Sequence, residues 1–87
     1  MLGLITFYTA ATQLQAWTLR AGTPVAKAAG KIHTDFERGF IRAEVFGYGD
    51  LVSAGSEHHV RELGKLRSEG KEYIVQDGDI IRFLFNL

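Results

Sequence analysis

The side chains best suited to binding chemistry in this 87-residue chain lie in residues 33–36, which read His-Thr-Asp-Phe. Lys31 precedes this stretch and Arg38 follows it. Cations beside an aromatic ring are suited to phosphate contact and to stacking on unpaired bases. A structural interpretation is also available, in which a helix ends here in an Asx-type turn and Phe36 closes the bottom of the core. The sequence alone leaves both interpretations open.

Patterns typical of catalysis or metal binding are missing from the sequence. The nearest approach to a GxxxxGK[ST] phosphate-binding loop is Gly64 and Lys65, but Leu66 follows them. His58 and His59 are adjacent, so on a helix they point about 100° apart and cannot share a metal as an i,i+4 pair does. The chain has no cysteine. We therefore expect no catalytic residue, no metal and no cofactor in this chain, and a stand-alone enzyme is disfavoured.

A helix is predicted directly before the 33–36 stretch. Thr23 is a suitable N-cap, because its hydroxyl can accept from first-turn N–H groups, and Pro24 suits the first helical position. Gly30 lies inside the helix, which a close approach to a sheet would explain. The apolar residues at i, i+3, i+4 and i+7 form one stripe: Val25, Ala28, Ala29 and Ile32.

Period-2 alternation predicts the strands. In residues 40–46 it places Ile41, Ala43 and Val45 toward the core, and Arg42 and Glu44 on the opposite face. The predicted strands cover residues 4–10, 14–20, 40–46, 72–75 and 80–87, and residues 11–13 make a short connection.

Residues 47–70 are rich in glycine and are predicted to form an irregular helical insert. Ser56 can cap a short helix over residues 57–63, and Gly64 can end that helix in a left-handed conformation. One further helical turn is expected before Gly55. The predicted anchors of the insert in the core are Val60 and Leu63.

This order of elements predicts one α+β domain over residues 1–87, with one main helix on one face of a mixed sheet. The most economical form is a β-grasp, the ubiquitin-like fold in which the first and last strands meet centrally. The opposite sheet face is left to solvent or to a partner. The residues expected on that open face are Tyr8, Arg42, Arg82 and Leu84.

The charge distribution favours an anionic partner only weakly. Net charge is zero, but the chain carries +3 before Asp35 and −3 from Asp35 onward. The apolar N-terminal run is too short to span a bilayer, so we expect no membrane association.

Two long motifs in this chain resemble a known family. They are IHTDFERGFIRAEV, from residue 32 to 45, and EGKEYIVQDGDIIRFLFN, from residue 69 to 86. Both look like the C-terminal TGS domain of the YchF family of Obg-like ATPases, and the resemblance extends upstream through FYTA and AWTLRAGT. It implies the β-grasp fold reached above from the pattern of elements.

The resemblance also implies a longer cytoplasmic protein whose separate P-loop domain binds ATP or GTP with Mg²⁺ and which associates with ribosomes. No catalytic position carries over to this chain, and no small-molecule substrate is expected. We therefore expect a non-catalytic module that contributes to RNA or ribosome binding. The alternative is an intramolecular scaffold that docks on the ATPase domain through Tyr8 and Leu84 without contacting RNA. The expected contact residues are Lys31, His33, Arg38, Arg42, Arg82 and Tyr8.

Overall fold

The computed structural model describes residues 3–10 and 14–86, so the predicted connection 11–13 and Leu87 lie outside the described residues. Five strands form one sheet in the order β2-β1-β5-β3-β4. The strands are β1 (Leu4–Thr9), β2 (Gln15–Arg20), β3 (Phe40–Gly47), β4 (Arg67–Glu69) and β5 (Asp79–Phe85). The helices are α1 (Val25–Ile32), α2 (Thr34–Arg38), α3 (Tyr48–Ala54) and α4 (Glu57–Glu62).

The sheet has the mixed topology of a β-grasp fold. Its first and last strands, β1 and β5, lie side by side and run parallel. All other neighbouring strands are antiparallel. The predicted α+β fold class is therefore confirmed. The predicted main helix, α1, packs on one face of this sheet and completes the first hydrophobic cluster, which contains Phe7, Leu19, Val25, Ala28, Ala43, Val45, Val75 and Ile81.

The start of α1 differs from the prediction. Pro24 occupies the N-cap position with extended backbone, and the Thr23 hydroxyl donates a hydrogen bond to the Arg20 carbonyl (2.6 Å) instead of capping the helix. The first-turn N–H of Val25 donates to the carbonyl of Tyr73 at 2.7 Å. Because a neighbouring backbone segment satisfies this end of the helix, no side-chain cap is needed.

The predicted strand over residues 72–75 is wrong for the same reason. The backbone groups of this segment hydrogen-bond to the start of α1, where the Val75 N–H donates to the Thr23 carbonyl (3.1 Å). The segment also makes one isolated bridge, between Pro24 and Ile74. The strand that pairs with β3 is instead Arg67–Glu69. Its three residues are too short to show a clear alternation in the sequence.

A β-bulge changes which side chains of β3 point toward the core. The register with β5 shifts between Phe40 and Arg42, so Phe40 packs against the first cluster. Ile41 is consequently 53% exposed and does not face the core, contrary to the prediction. Ala43 and Val45 are fully buried, as predicted.

Helices α3 and α4 cover part of the sheet face that the sequence predicted to be open. They complete a second hydrophobic cluster whose buried members are Phe46, Val60 and Ile80. The insert contains nearly two turns in α3, more than the single turn expected. The Ser56 hydroxyl accepts from the His59 N–H at 3.2 Å, as predicted for an N-cap. Gly64 takes the predicted left-handed conformation (φ 73°).

Of the two predicted anchors of the insert, one is confirmed and one is wrong. Val60 is fully buried, but Leu63 is 63% exposed. Leu66, which lies between Gly64 and β4, packs against the second cluster instead. Leu63 is the C-cap residue of α4, and its side chain faces solvent.

Gly30 is required by a neighbouring helix and not by the sheet. A Cβ atom at this position would lie 2.8 Å from Glu37 Oε1 and 3.2 Å from Glu37 Cβ. Glu37 belongs to α2, and its carboxylate also pairs with Lys27 Nζ at 2.8 Å. The missing side chain therefore allows α2 to pack closely against α1.

Asp79 is a buried carboxylate, 4% exposed, at the start of β5. Its Oδ2 accepts hydrogen bonds from the Tyr73 hydroxyl (2.6 Å) and the Gln76 N–H (2.9 Å). Arg67 lies 3.6 Å from its Oδ1. These partners satisfy the carboxylate and connect the 71–78 segment to the sheet. Burial and the hydrogen bond to Asp79 raise the pKa of Tyr73 above its usual value.

Substitution of Val60 tests whether the second cluster stabilises the fold. Val60→Ala removes two buried methyl groups and should lower the free energy of unfolding by about 2 kcal/mol. Leu63→Ala, three residues away on an exposed site, should change it by less than about 0.5 kcal/mol. Urea denaturation of both variants provides the measurement. Equal effects of the two substitutions would show that α4 is not anchored through Val60.

Titration of Tyr73 should weaken the fold at alkaline pH. The folded state holds the hydroxyl proton of Tyr73 more tightly than the unfolded state does. The stability that this difference contributes to the fold is therefore complete below the unfolded pKa of about 10, and it is lost as the pH rises through the higher folded pKa. Urea midpoints measured from about pH 8 to about pH 11 should fall less steeply in Tyr73→Phe than in the unmodified chain. An unchanged slope in Tyr73→Phe contradicts the prediction.

Candidate functional site

Three aromatic rings lie in a row where α2 meets the end of β5. The centroids of His33 and Phe36 are 5.2 Å apart with the rings tilted by 35°, and Phe36 stacks on Phe85 at 4.0 Å with an interplanar angle of 29°. Phe36 and Phe85 are half-buried, whereas the His33 side chain is 57% exposed. We call His33, Phe36 and Phe85 the aromatic edge. Its outermost ring offers an exposed face to a planar group.

The backbone around His33 positions this ring. His33 is extended and serves both as the C-cap of α1 and as the N-cap of α2. Its Nδ1 accepts a hydrogen bond from the Asp35 N–H at 3.1 Å, while the Asp35 carboxylate lies farther away, at 3.9 Å. A ring nitrogen that accepts a hydrogen bond carries no proton, so the neutral ring holds its proton on Nε2. Residues 34–38 thus form a capped helix and not the Asx-type turn of the structural interpretation.

Two predicted cations flank the aromatic edge. Lys31 lies in the last turn of α1, is exposed, and makes no ion pair with any residue in the described ranges 3–10 and 14–86. The Arg38 side chain is 80% exposed, and its guanidinium pairs with the Asp35 carboxylate at 2.8 Å. Lys27, one turn before Lys31, is committed to Glu37, whose hydrogen bond and charge raise the pKa of Lys27. The least neutralised cation beside the edge is therefore Lys31.

The predicted contacts Arg42 and Arg82 lie elsewhere, on the sheet face that carries α4. The Arg82 guanidinium contacts both carboxylate oxygens of Glu57 at 2.7 and 2.8 Å. Glu57 belongs to α4 and is 25 residues away in sequence. Both contacts are made by one guanidinium nitrogen, Nη2, and this ion pair connects the helix to the central strand β5. No local sequence pattern marks such a pair.

The pairing continues along the same face to Arg42. Glu57 is also 3.9 Å from Arg61, Arg61 is 3.4 Å from Glu44, and Glu44 is 3.9 Å from Arg42. Three guanidinium groups thus alternate with two carboxylates, which leaves a local charge of +1. We call this series of alternating charged groups, from Arg42 to Arg82, the ion-pair chain. It therefore presents little net positive charge.

Tyr8 is also less available than predicted. Its ring lies 5.4 Å from the ring of Tyr48, and it packs against the second hydrophobic cluster. The six predicted contacts therefore divide into two groups. Lys31, His33 and Arg38 lie together at the aromatic edge, whereas Arg42, Arg82 and Tyr8 lie on the opposite sheet face.

Phe85 is the member of the edge that the sequence did not single out. Its spacing with Ile81 and Phe83 places all three on one face of β5. The first two residues do pack in the first cluster. Phe85 comes at the end of the strand, beyond the cover of α1, and stacks on Phe36 instead.

The described residues also bear on metal binding and membrane insertion. Within residues 3–10 and 14–86, no group of three or more His, Cys, Asp or Glu side chains is arranged to hold a metal ion. Across those same ranges, no helix combines the length and apolar character needed to cross a membrane.

Comparison with known proteins covers nearly the whole chain. The family model YchF-GTPase_C, described as "Protein of unknown function (DUF933)", matches residues 4–86. The Ribosome-binding ATPase YchF of Bacillus subtilis is 53% identical over 88 aligned positions, covering 100% of this chain and 24% of that protein. Obg-like ATPase 1 of Rattus norvegicus is 57% identical over 81 positions, covering 92% of this chain and 20% of that protein.

Solved structures agree with these sequence matches. The Schizosaccharomyces pombe YchF GTPase superposes with a TM-score of 0.86 at 40% identity, covering 93% of this chain and 22% of that one. A GTP binding protein from Pyrococcus horikoshii OT3, at 21% identity, shares the fold with a TM-score of 0.64, covering 95% of this chain and 21% of that one. The chain thus spans about a quarter or less of the length of these relatives.

The matched residues include the helix α1, the aromatic edge and the whole described sheet. The chain therefore belongs to the YchF-GTPase_C family.

Proposed function

We propose that this chain is a non-catalytic recognition module through which a longer Obg-like ATPase contacts ribosomal RNA. The observation that carries the proposal is the aromatic edge, with the exposed ring of His33 beside the unpaired cation Lys31. Exposed aromatic rings next to cations bind single-stranded RNA by stacking on bases and attracting phosphates. Relatives named for ribosome binding in Bacillus subtilis and Escherichia coli support the same partner.

In this proposal, the geometry assigns separate tasks to the residues of the edge. His33 offers its outer face to an unpaired base. Phe36 lies behind the His33 ring at 5.2 Å, and Phe85 in turn lies 4.0 Å from Phe36. Lys31 supplies the positive charge for a phosphate. Arg38 remains held by Asp35 and orients the start of α2. Nucleotide hydrolysis, with ATP or GTP and Mg²⁺, belongs in this proposal to the rest of the longer protein.

The scaffold alternative has less support from this geometry. It depends on Tyr8 and Leu84 forming an open docking surface for the ATPase domain. Tyr8 is half-buried against Tyr48, and Leu84 is also half-buried. The ion-pair chain covers the neighbouring part of that face. The RNA-contact proposal therefore accounts for more of the exposed features.

Replacing His33 by asparagine tests the stacking role separately from stability. Asparagine is a good N-cap, so His33→Asn keeps an acceptor for the Asp35 N–H while removing the ring. Affinity for a fluorescein-labelled single-stranded RNA should fall by about 1–3 kcal/mol, the usual contribution of one stacked base. Fluorescence anisotropy gives the affinity, and thermal unfolding checks that the helix is intact. Unchanged affinity with unchanged stability would rule out stacking on His33.

Removing single cations tests the electrostatic part. Lys31→Ala should weaken RNA binding and reduce the slope of log K against log salt by about 0.7, the value for one phosphate contact on a single strand. Lys65→Ala is the matched control, because Lys65 is also exposed and follows α4, away from the aromatic edge. Its affinity and salt slope should equal those of the unmodified chain. Identical losses in both variants would indicate non-specific attraction and contradict the assigned site.

A further inference from the structure

The strand β2 forms a free edge of the sheet without the usual protection. Among the described residues it pairs only with β1. Its six residues contain no proline, lysine or acidic residue. The other edge, β4, has three residues, two of which are the ion-paired Arg67 and Glu69. Proteins commonly shorten or charge their edge strands to prevent pairing with another chain. By this criterion β4 is well protected, whereas β2 is six residues long and its single charged residue, Arg20, lies at its end.

The hydrogen-bond pattern identifies the groups that face outward from β2. The Ala21 N–H donates to the Gly3 carbonyl at 3.4 Å, so this opposed pair is hydrogen-bonded. In an antiparallel ladder such pairs recur at every second residue. Trp17 and Leu19 therefore direct their backbone groups toward β1. Outward-facing N–H groups belong to Ala16, Thr18 and Arg20.

Two hydrogen bonds of Thr6 independently support this assignment of the inward-facing and outward-facing residues of β2. Thr6 is opposite Thr18 in the register. The Thr6 N–H donates to Asp77 Oδ1 (2.8 Å), and the Thr6 carbonyl accepts from the Gly78 N–H (2.8 Å). Both groups of Thr6 thus point away from β2. Its partner Thr18 must likewise point its backbone groups away from β1, toward the free edge.

We propose that the free edge of β2 pairs antiparallel with β2 of a second copy of this chain, about a two-fold axis at Thr18. In this register Thr18 is opposite its own copy, and Ala16 is opposite Arg20. Both pairs use outward-facing groups, so each can form the two hydrogen bonds of a ladder pair. The same register places Trp17 opposite Leu19 on the face that carries α1.

Charge and side-chain size favour a second copy of this chain as the partner of β2. The chain has zero net charge, so two copies do not repel each other strongly. In the proposed register each Arg20 faces the small Ala16, and the two arginines lie at opposite ends of the new pairing. The apolar pairing of Trp17 with Leu19 adds cross-strand contact. Because one pair of short strands buries little surface, the dimer should be weak and dependent on concentration.

Proline at position 18 tests the pairing without removing a bond inside the sheet. Thr18→Pro deletes one outward N–H, whereas Thr18→Ala retains it and serves as the control. Sedimentation equilibrium should show dimers of the unmodified chain and of Thr18→Ala increasing with concentration, and a monomer for Thr18→Pro. A monomeric unmodified chain at about millimolar concentration, or equal dimerisation of Thr18→Pro, would overturn the proposal.

Amide hydrogen exchange gives a second measurement that needs no substitution. On raising the concentration of the unmodified chain, the amides of Ala16, Thr18 and Arg20 should exchange more slowly. Those of Trp17 and Leu19 should be protected at every concentration, because they already bond to β1. Concentration-dependent protection confined to another element would place the dimer contact elsewhere and overturn the proposal.

Discussion

The fold depends on burial of the central strand β5 on both of its faces. Ile81 packs in the first hydrophobic cluster under α1, and Ile80 packs in the second cluster under α3 and α4. Both side chains are fully buried. A single helix on one face of the sheet would leave Ile80 exposed to water. The helical insert between β3 and β4 is therefore part of the core, and the sheet does not offer a broad open surface for recognition.

The same constraint determines where charge is available. Covering the second face brings Glu57 of α4 within 2.7 Å of Arg82, and Arg61 within 3.4 Å of Glu44. These partly exposed pairs add little to stability, because solvent screens them. They nevertheless neutralise most of the charge on that face. At the other end of the molecule, α2 ends the helical layer and leaves the aromatic edge beside Lys31.

The sequence predicted elements whose signals are local and repeated. The apolar stripe of α1, the alternation of β5 and the turn at Gly64 were sufficient for the fold class. Predictions failed where distant segments compete for the same groups. The Tyr73 carbonyl caps α1 instead of joining a strand, and Arg82 finds Glu57 across 25 residues. Around residues 33–36 the residue types indicated a site, but only the structure brings Phe85 against it.

In the proposed function, recognition occurs at the aromatic edge, because both sheet faces are largely covered or neutralised. Nuclear magnetic resonance of the isotope-labelled chain, titrated with a short single-stranded RNA, tests this claim directly. Chemical-shift changes should concentrate at residues 31–38 and at Phe85, and they should diminish as salt is added. Changes centred instead on Arg42, Arg61 and Arg82 would contradict the account, because they would show that the ion-pair chain opens to receive the RNA.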